Sequence, residues 1–132
     1  MRTFIVVVLA APFLAAHAFA AADIRGPVAA SAPARFTFPN AEFMPEKEGL
    51  QAAQDFVKNE LPQGLAMSVA VARVERAHAA CRRAIRQTVC TYFIESHPPD
   101  GDSGENVWTV RLIPDPKGVL QSATVARSHV GL

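Results

Sequence analysis

The stretch that decides the fold runs from residue 88 to residue 127. It reads TVCTYFIES (88–96), HPPDGDSGE (97–105), NVWTVRLI (106–113), PDPKG (114–118) and VLQSATVAR (119–127). The three longer apolar blocks are rich in β-branched and aromatic residues, which suit a pleated, half-buried surface. Within them the period is two. Trp108, Val110 and Leu112 fall on one face, with Thr109 and Arg111 on the other, and Val119, Ala123 and Val125 again share a face. The intervening blocks hold the Pro, Gly and Asp residues that turns select. The pattern predicts three strands, Thr88–Ser96, Asn106–Ile113 and Val119–Arg127, joined as an antiparallel meander.

Working back from this sheet, the period lengthens. Between Pro45 and Leu61, the residues Leu50, Ala53, Val57 and Leu61 recur at helical spacing, with Phe56 on the flank of the stripe. Pro45 suits the start of a helix, Glu46 and Glu48 favour its first turn electrostatically, and Pro62 with Gly64 stops it. From Leu65 to Ala80 two patterns overlap. Met67, Val71, Val74, His78 and Cys81 form a helical face, whereas Met67, Val69 and Val71 also alternate as a strand does. Alanine content, length and the Arg73/Glu75/Arg76 group favour a second helix. Two helices laid on one face of three strands give a two-layer α+β domain over residues 45–132.

Residues 21–44 carry Pro27, Pro33 and Pro39 among alanines and show neither period, which predicts an extended leader. Phe36 and Phe38 within it either dock on the domain or form a short edge strand. Residues 1–20 have the three parts of a secretory signal peptide: Arg2, an uncharged apolar run from Phe4 to Ala16, and the small residues of Ala18-Phe19-Ala20. Cleavage is expected after Ala20 or after Ala22. Pro12 and His17 interrupt the run before it reaches the roughly 20 apolar residues of a membrane span. No cysteine follows it to accept a lipid. The expectation is a periplasmic or secreted product with no transmembrane segment after cleavage. The whole chain has 13 basic and 12 acidic residues, and losing Arg2 balances them. A neutral, exported domain gives no electrostatic case for nucleic acid as a partner.

In an oxidising compartment two cysteines pair, so Cys81 and Cys90 are expected to form a disulfide. Neither C-x-x-C spacing nor a low-pKa setting points to redox chemistry. A metal site of His78, Cys81 and Cys90 would compete for the same sulfurs and lacks a fourth ligand, so no metal is expected. Asp100, Asp102 and Glu105 depart from the EF-hand pattern, because Gly104 and Glu105 stand where its fifth and sixth positions fall. A solvated hairpin loop explains them. No serine lies in a nucleophile-elbow sequence and no nucleotide-binding glycine pattern occurs, so no catalytic residue and no cofactor is assigned. The remaining feature is basic: Arg73, Arg76, Arg82, Arg83 and Arg86 gather near the expected end of the second helix. They either complement that helix terminus and face solvent, or form a docking patch for an acidic partner or anionic headgroups.

The order of landmarks resembles that of small exported proteins of the BamE-like (SmpA/OmlA-type) family. The landmarks are Leu61-Pro62-Gln63-Gly64, Ala79-Ala80-Cys81, Val89-Cys90-Thr91-Tyr92, Trp108 to Leu112 and the Asp115–Gly118 turn. The resemblance spans about residues 45–130 and implies an ααβββ fold that works by binding other proteins. The chain departs from that family where Leu65-Ala66 replace the usual Ser or Thr cap, and in having no lipidation cysteine. The reading is therefore a non-catalytic, exported module that binds another envelope protein through a sheet edge or the arginine-rich region. Two alternatives stand beside it: an inhibitor inserting the His97–Glu105 loop into a secreted hydrolase, and a cystatin-like small-molecule-binding or enzymatic domain.

Overall fold

The computed structural model describes residues 34–96 and 103–131. Its elements in chain order are α1 (Phe38–Glu42), α2 (Glu46–Glu60), α3 (Met67–Arg76), β1 (Ala80–Ala84), β2 (Gln87–Ser96), β3 (Gly104–Pro114) and β4 (Leu120–Gly131). The strands form one antiparallel sheet in the order β1-β2-β3-β4, so sheet order and chain order coincide. The α+β class expected from the sequence is observed, with a helical layer on one face of an antiparallel meander. No helix among the described residues is long and apolar enough to cross a membrane.

The β3 alternation is the one that the sequence displays. Trp108, Val110 and Leu112 are buried, and their neighbours on the inner face are Cys90 of β2 and Leu120 at the start of β4. The helices supply Ala53 and Phe56 from α2 and Ala70 and Val74 from α3 to the same core. Phe38 closes it, fully buried, with its ring 5.9 Å from Trp108 and 6.3 Å from Tyr92. Phe36 stacks on Phe56 at 4.8 Å. Of the two expectations for this phenylalanine pair, docking is the one observed.

β3 begins at Gly104, so Glu105 lies in a strand and not in the expected 97–105 loop, and β4 starts at Leu120 and runs on to Gly131. Three larger differences from the expectation follow. First, the sheet has four strands. The second helix stops at Arg76 instead of running to residue 80, and residues 80–84 form an additional edge strand. His78 adopts a left-handed conformation (φ 73°), which turns the chain out of the helix in two residues. Second, Phe38–Glu42, placed by sequence in the extended leader, is a short helix. Thr37 caps it by accepting from the Asn40 N–H, and the Phe38 N–H donates to the Ala77 carbonyl. Third, the disulfide does not tie a helix to a strand. Cys81 and Cys90 face each other across the β1–β2 ladder. The expected signal peptide (1–20), residues 21–33 of the leader and the 97–102 connection with Asp100 and Asp102 lie outside the described residues.

α1 and α2 approach closely because Gly49 has no side chain. A Cβ there would strike the Ala41 carbonyl oxygen. Gly49→Ala, which gains about 1 kcal/mol of helix propensity at an open site, is therefore expected to destabilise here, by a net amount of about 1–2 kcal/mol. Urea denaturation of the variant checks the sign.

Candidate functional site

Two side-chain constellations stand out, one open and one closed. The open one is a cleft of about 770 Å³ between α3 and the β1–β2 hairpin. Met67, Ser68 and Val71 of α3 form one wall, Cys81 and Arg83 of β1 the other, and Pro114, Asp115, Pro116 and Gly118 the end. Two features of local sequence shape it. The β1–β2 connection is Ile85-Arg86, with Arg86 in the left-handed region (φ 59°), a conformation that costs a non-glycine residue about 1–2 kcal/mol. At the end wall, Asp115 Oδ1 accepts from the Lys117 and Val119 N–H groups at 2.8 and 3.1 Å, and Gly118 takes φ 79° to close the turn. Asp115, the acidic residue lining the cleft, is thus held in its own turn.

The structure divides the five arginines singled out by sequence. Arg73 donates to the Glu60 carbonyl at 2.7 Å and lies 3.9 Å from its carboxylate, tying α3 to the end of α2. Arg76 donates to the Ala72 carbonyl one turn back. Arg82 lies opposite Val89 on the sheet face away from the helices. Arg83 and Arg86 line the cleft, both exposed, and neither has an ion-pair partner among the described residues. The sequence places the five around a helix end expected at residue 80. The helix's early end puts three of them on a hairpin, and two of those three in a concavity. Cys81 and Cys90 are disulfide-bonded, so neither sulfur is available to a metal. Among the described residues no three His, Cys, Asp or Glu side chains converge as ligands would.

The closed constellation was not anticipated. Glu42, at the end of α1, inserts its carboxylate over the inner face of β3 and β4. Oε1 accepts from Asn106 Nδ2 at 2.6 Å and from Arg127 Nη2 at 2.8 Å. Oε2 accepts from Trp108 Nε1 at 2.7 Å and from Arg127 Nε at 3.2 Å. The guanidinium also lies over the indole ring, 5.7 Å from its centroid, and His129 Nδ1 meets Asn106 Oδ1 at 2.9 Å. Burial pushes the Glu42 carboxyl up, but hydrogen bonds from Arg127, Trp108 and Asn106 and the arginine's charge outweigh it and hold it below the ordinary glutamate range. Every acceptor position faces a donor, so this hub is a strut and offers no vacant group to a ligand. The signal that can reveal it is polarity on the wrong face: Asn106, Arg127 and His129 occupy inward positions of β3 and β4.

No family model, curated protein or solved structure matches this chain.

Proposed function

We propose that this chain is an exported, non-catalytic binding domain that takes an acidic segment of another envelope protein into the cleft between α3 and the β1–β2 hairpin. The observation that carries the reading is the pair Arg83 and Arg86, two exposed guanidiniums in one open concavity with no acidic partner among the described residues. Guanidinium groups present planar forks of donors that match carboxylates, and they do so at less hydration cost than lysine. The apolar wall of Met67 and Val71 gives such a segment a surface to bury as well as charges to pair. Two further observations support export. One is the signal-like N-terminus; the other is a disulfide, which persists where thiols are oxidised.

The test uses a fluorescent glutamate-rich peptide in an anisotropy titration, with a lysine-rich peptide of equal length as the control. The acidic peptide is expected to bind and the basic one not, with affinity falling as salt rises. Arg86→Gly removes the charge and relieves the left-handed strain, so it should keep or raise stability while weakening binding by about tenfold, the scale of one lost charged contact. Arg83→Gln should weaken binding similarly. Equal affinity for both peptides, or unchanged binding by the two variants, rules the reading out.

A further inference from the structure

The sheet face turned away from the helices carries a pattern that matches itself, and we infer that this face pairs with the same face of a second copy of the chain. The inference is independent of the cleft, which lies on the other side of the sheet.

Because Trp108, Val110 and Leu112 face the core, Val107, Thr109 and Arg111 face outward, and the ladder places their neighbours beside them. Four rows cross the strands. At one end Arg111 and Arg82 flank Val89, both arginines exposed. Next comes a shallow row of Thr91, Thr109 and Ala126. The third row is tall: Phe93, 63% exposed, stands beside Val107 and Ser128. At the far end Glu105 lies beside Val130, with Glu95 on its other side. The face thus runs from positive through small to bulky to negative. No described helix lies on it.

Such a gradient specifies its own partner. A two-fold axis in the plane of the face, perpendicular to the strands and passing between the two middle rows, exchanges the first row with the fourth and the second with the third. Arg111 of each copy then meets Glu105 of the other, and each Phe93 and Val107 settle over the other copy's Thr91 and Thr109. Charge and height are complementary at once, as an isologous interface requires. A two-fold axis along the strands would instead set arginine against arginine and is excluded by the same pattern. The resulting pair of stacked sheets has the separation and near-alignment of a β-sandwich.

The size of the patch sets the strength. Arg111 and Glu105 lie about 20 Å apart along β3, and four strands span about 14 Å. With side chains included, the two copies bury on the order of 1,000 Å² in total, at the lower bound for a specific complex. Dimerisation is therefore expected in the micromolar range and at low salt.

Sedimentation equilibrium of the purified protein over a micromolar concentration series tests this. A monomer–dimer equilibrium is expected. Arg111→Glu and Glu105→Arg each place like charges at both symmetry-related contacts and should weaken it by about tenfold or more, while the double reversal restores it. Phe93→Ser should weaken it without changing the charge pattern, and thermal melting of each variant confirms folding. A monomer at every concentration overturns the inference. So does a dimer indifferent to the single reversals, which would place the contact at a sheet edge, or a double reversal no tighter than the singles.

Discussion

Glu42→Ala is expected to destabilise the fold by about 3 kcal/mol, a substantial share of the roughly 5–15 kcal/mol typical of a domain. The side chain is only 8% exposed and accepts four hydrogen bonds. Its removal leaves the Trp108 indole N–H, the Asn106 amide and the Arg127 guanidinium without their acceptor at once. Arg127 is 22% exposed and, among the described residues, retains only Glu46 as an ion-pair partner, at 3.7 Å and 81% exposed, so solvent relieves part of the penalty. The expected loss therefore falls at the low end of the roughly 3–5 kcal/mol range for an orphaned buried charge. Replacing Glu42 and Arg127 together by leucine should cost less than the two single losses combined, because the pair fails as a unit. The same hub sets an acid limit. The Glu42 carboxyl is held below its unfolded value, so the stability it confers is fully present above about pH 4.3 and is lost as pH falls through the lower, folded value. Melting temperature measured against pH should fall more steeply at the acid end for the wild type than for Glu42→Gln. Parallel curves would remove the hub from the account of acid stability.

Replacing both Cys81 and Cys90 by alanine is expected to lower stability by about 3 kcal/mol. The chain-entropy cost of leaving this short loop open supplies nearly all of that figure. The loss should also be local. β1 is a five-residue edge strand, mostly exposed, with β2 as its one ladder partner. Without the bridge, its amides should exchange with deuterium far faster than those of β2–β4, as a low-stability unit at the margin of the sheet does. Because Arg83 belongs to this strand and Arg86 to its turn, the reduced protein should also bind the acidic peptide more weakly. A loss of under about 1 kcal/mol, with unchanged protection at residues 80–84, would mean that the ladder alone holds the edge.

The legibility of the chain tracks the range of the forces involved. β2, β3, β4 and α2 were readable because their period is written locally: Trp108-x-Val110-x-Leu112 declares a half-buried strand, and Leu50 to Leu61 declares an amphipathic helix. β1 was not. Its sequence, Ala-Cys-Arg-Arg-Ala, has no apolar alternation, since an exposed edge strand with arginines buries almost nothing. It is a strand because β2 templates it and the disulfide pins it, and both are tertiary effects that override weak propensity. His78 gave no warning either, for a left-handed histidine carries no glycine signal. The short α1 hid for a similar reason. Five residues are too few for a period, and Thr37-Phe38-Pro39 looks like a cap only once Phe38 is known to enter the core. Glu42 lies 64 to 85 residues from its partners, a separation no local pattern can report. The cleft inherits this history. Its two arginines were visible, but their separation from Arg73, Arg76 and Arg82 depended on where one helix stopped.

The identity of sheet order and chain order bears on how the molecule assembles. Each strand finds its partner across a connection of modest length, so the ladders can zip one after another with little loop-closure entropy lost at each step. Low contact order of this kind favours rapid formation. α1 is the exception, because its contacts to β3 and β4 span 64 to 85 residues. Its carboxylate can dock only onto a meander that already exists, which makes the N-terminal turn the latch that closes last and, under stress, the natural place for opening to begin.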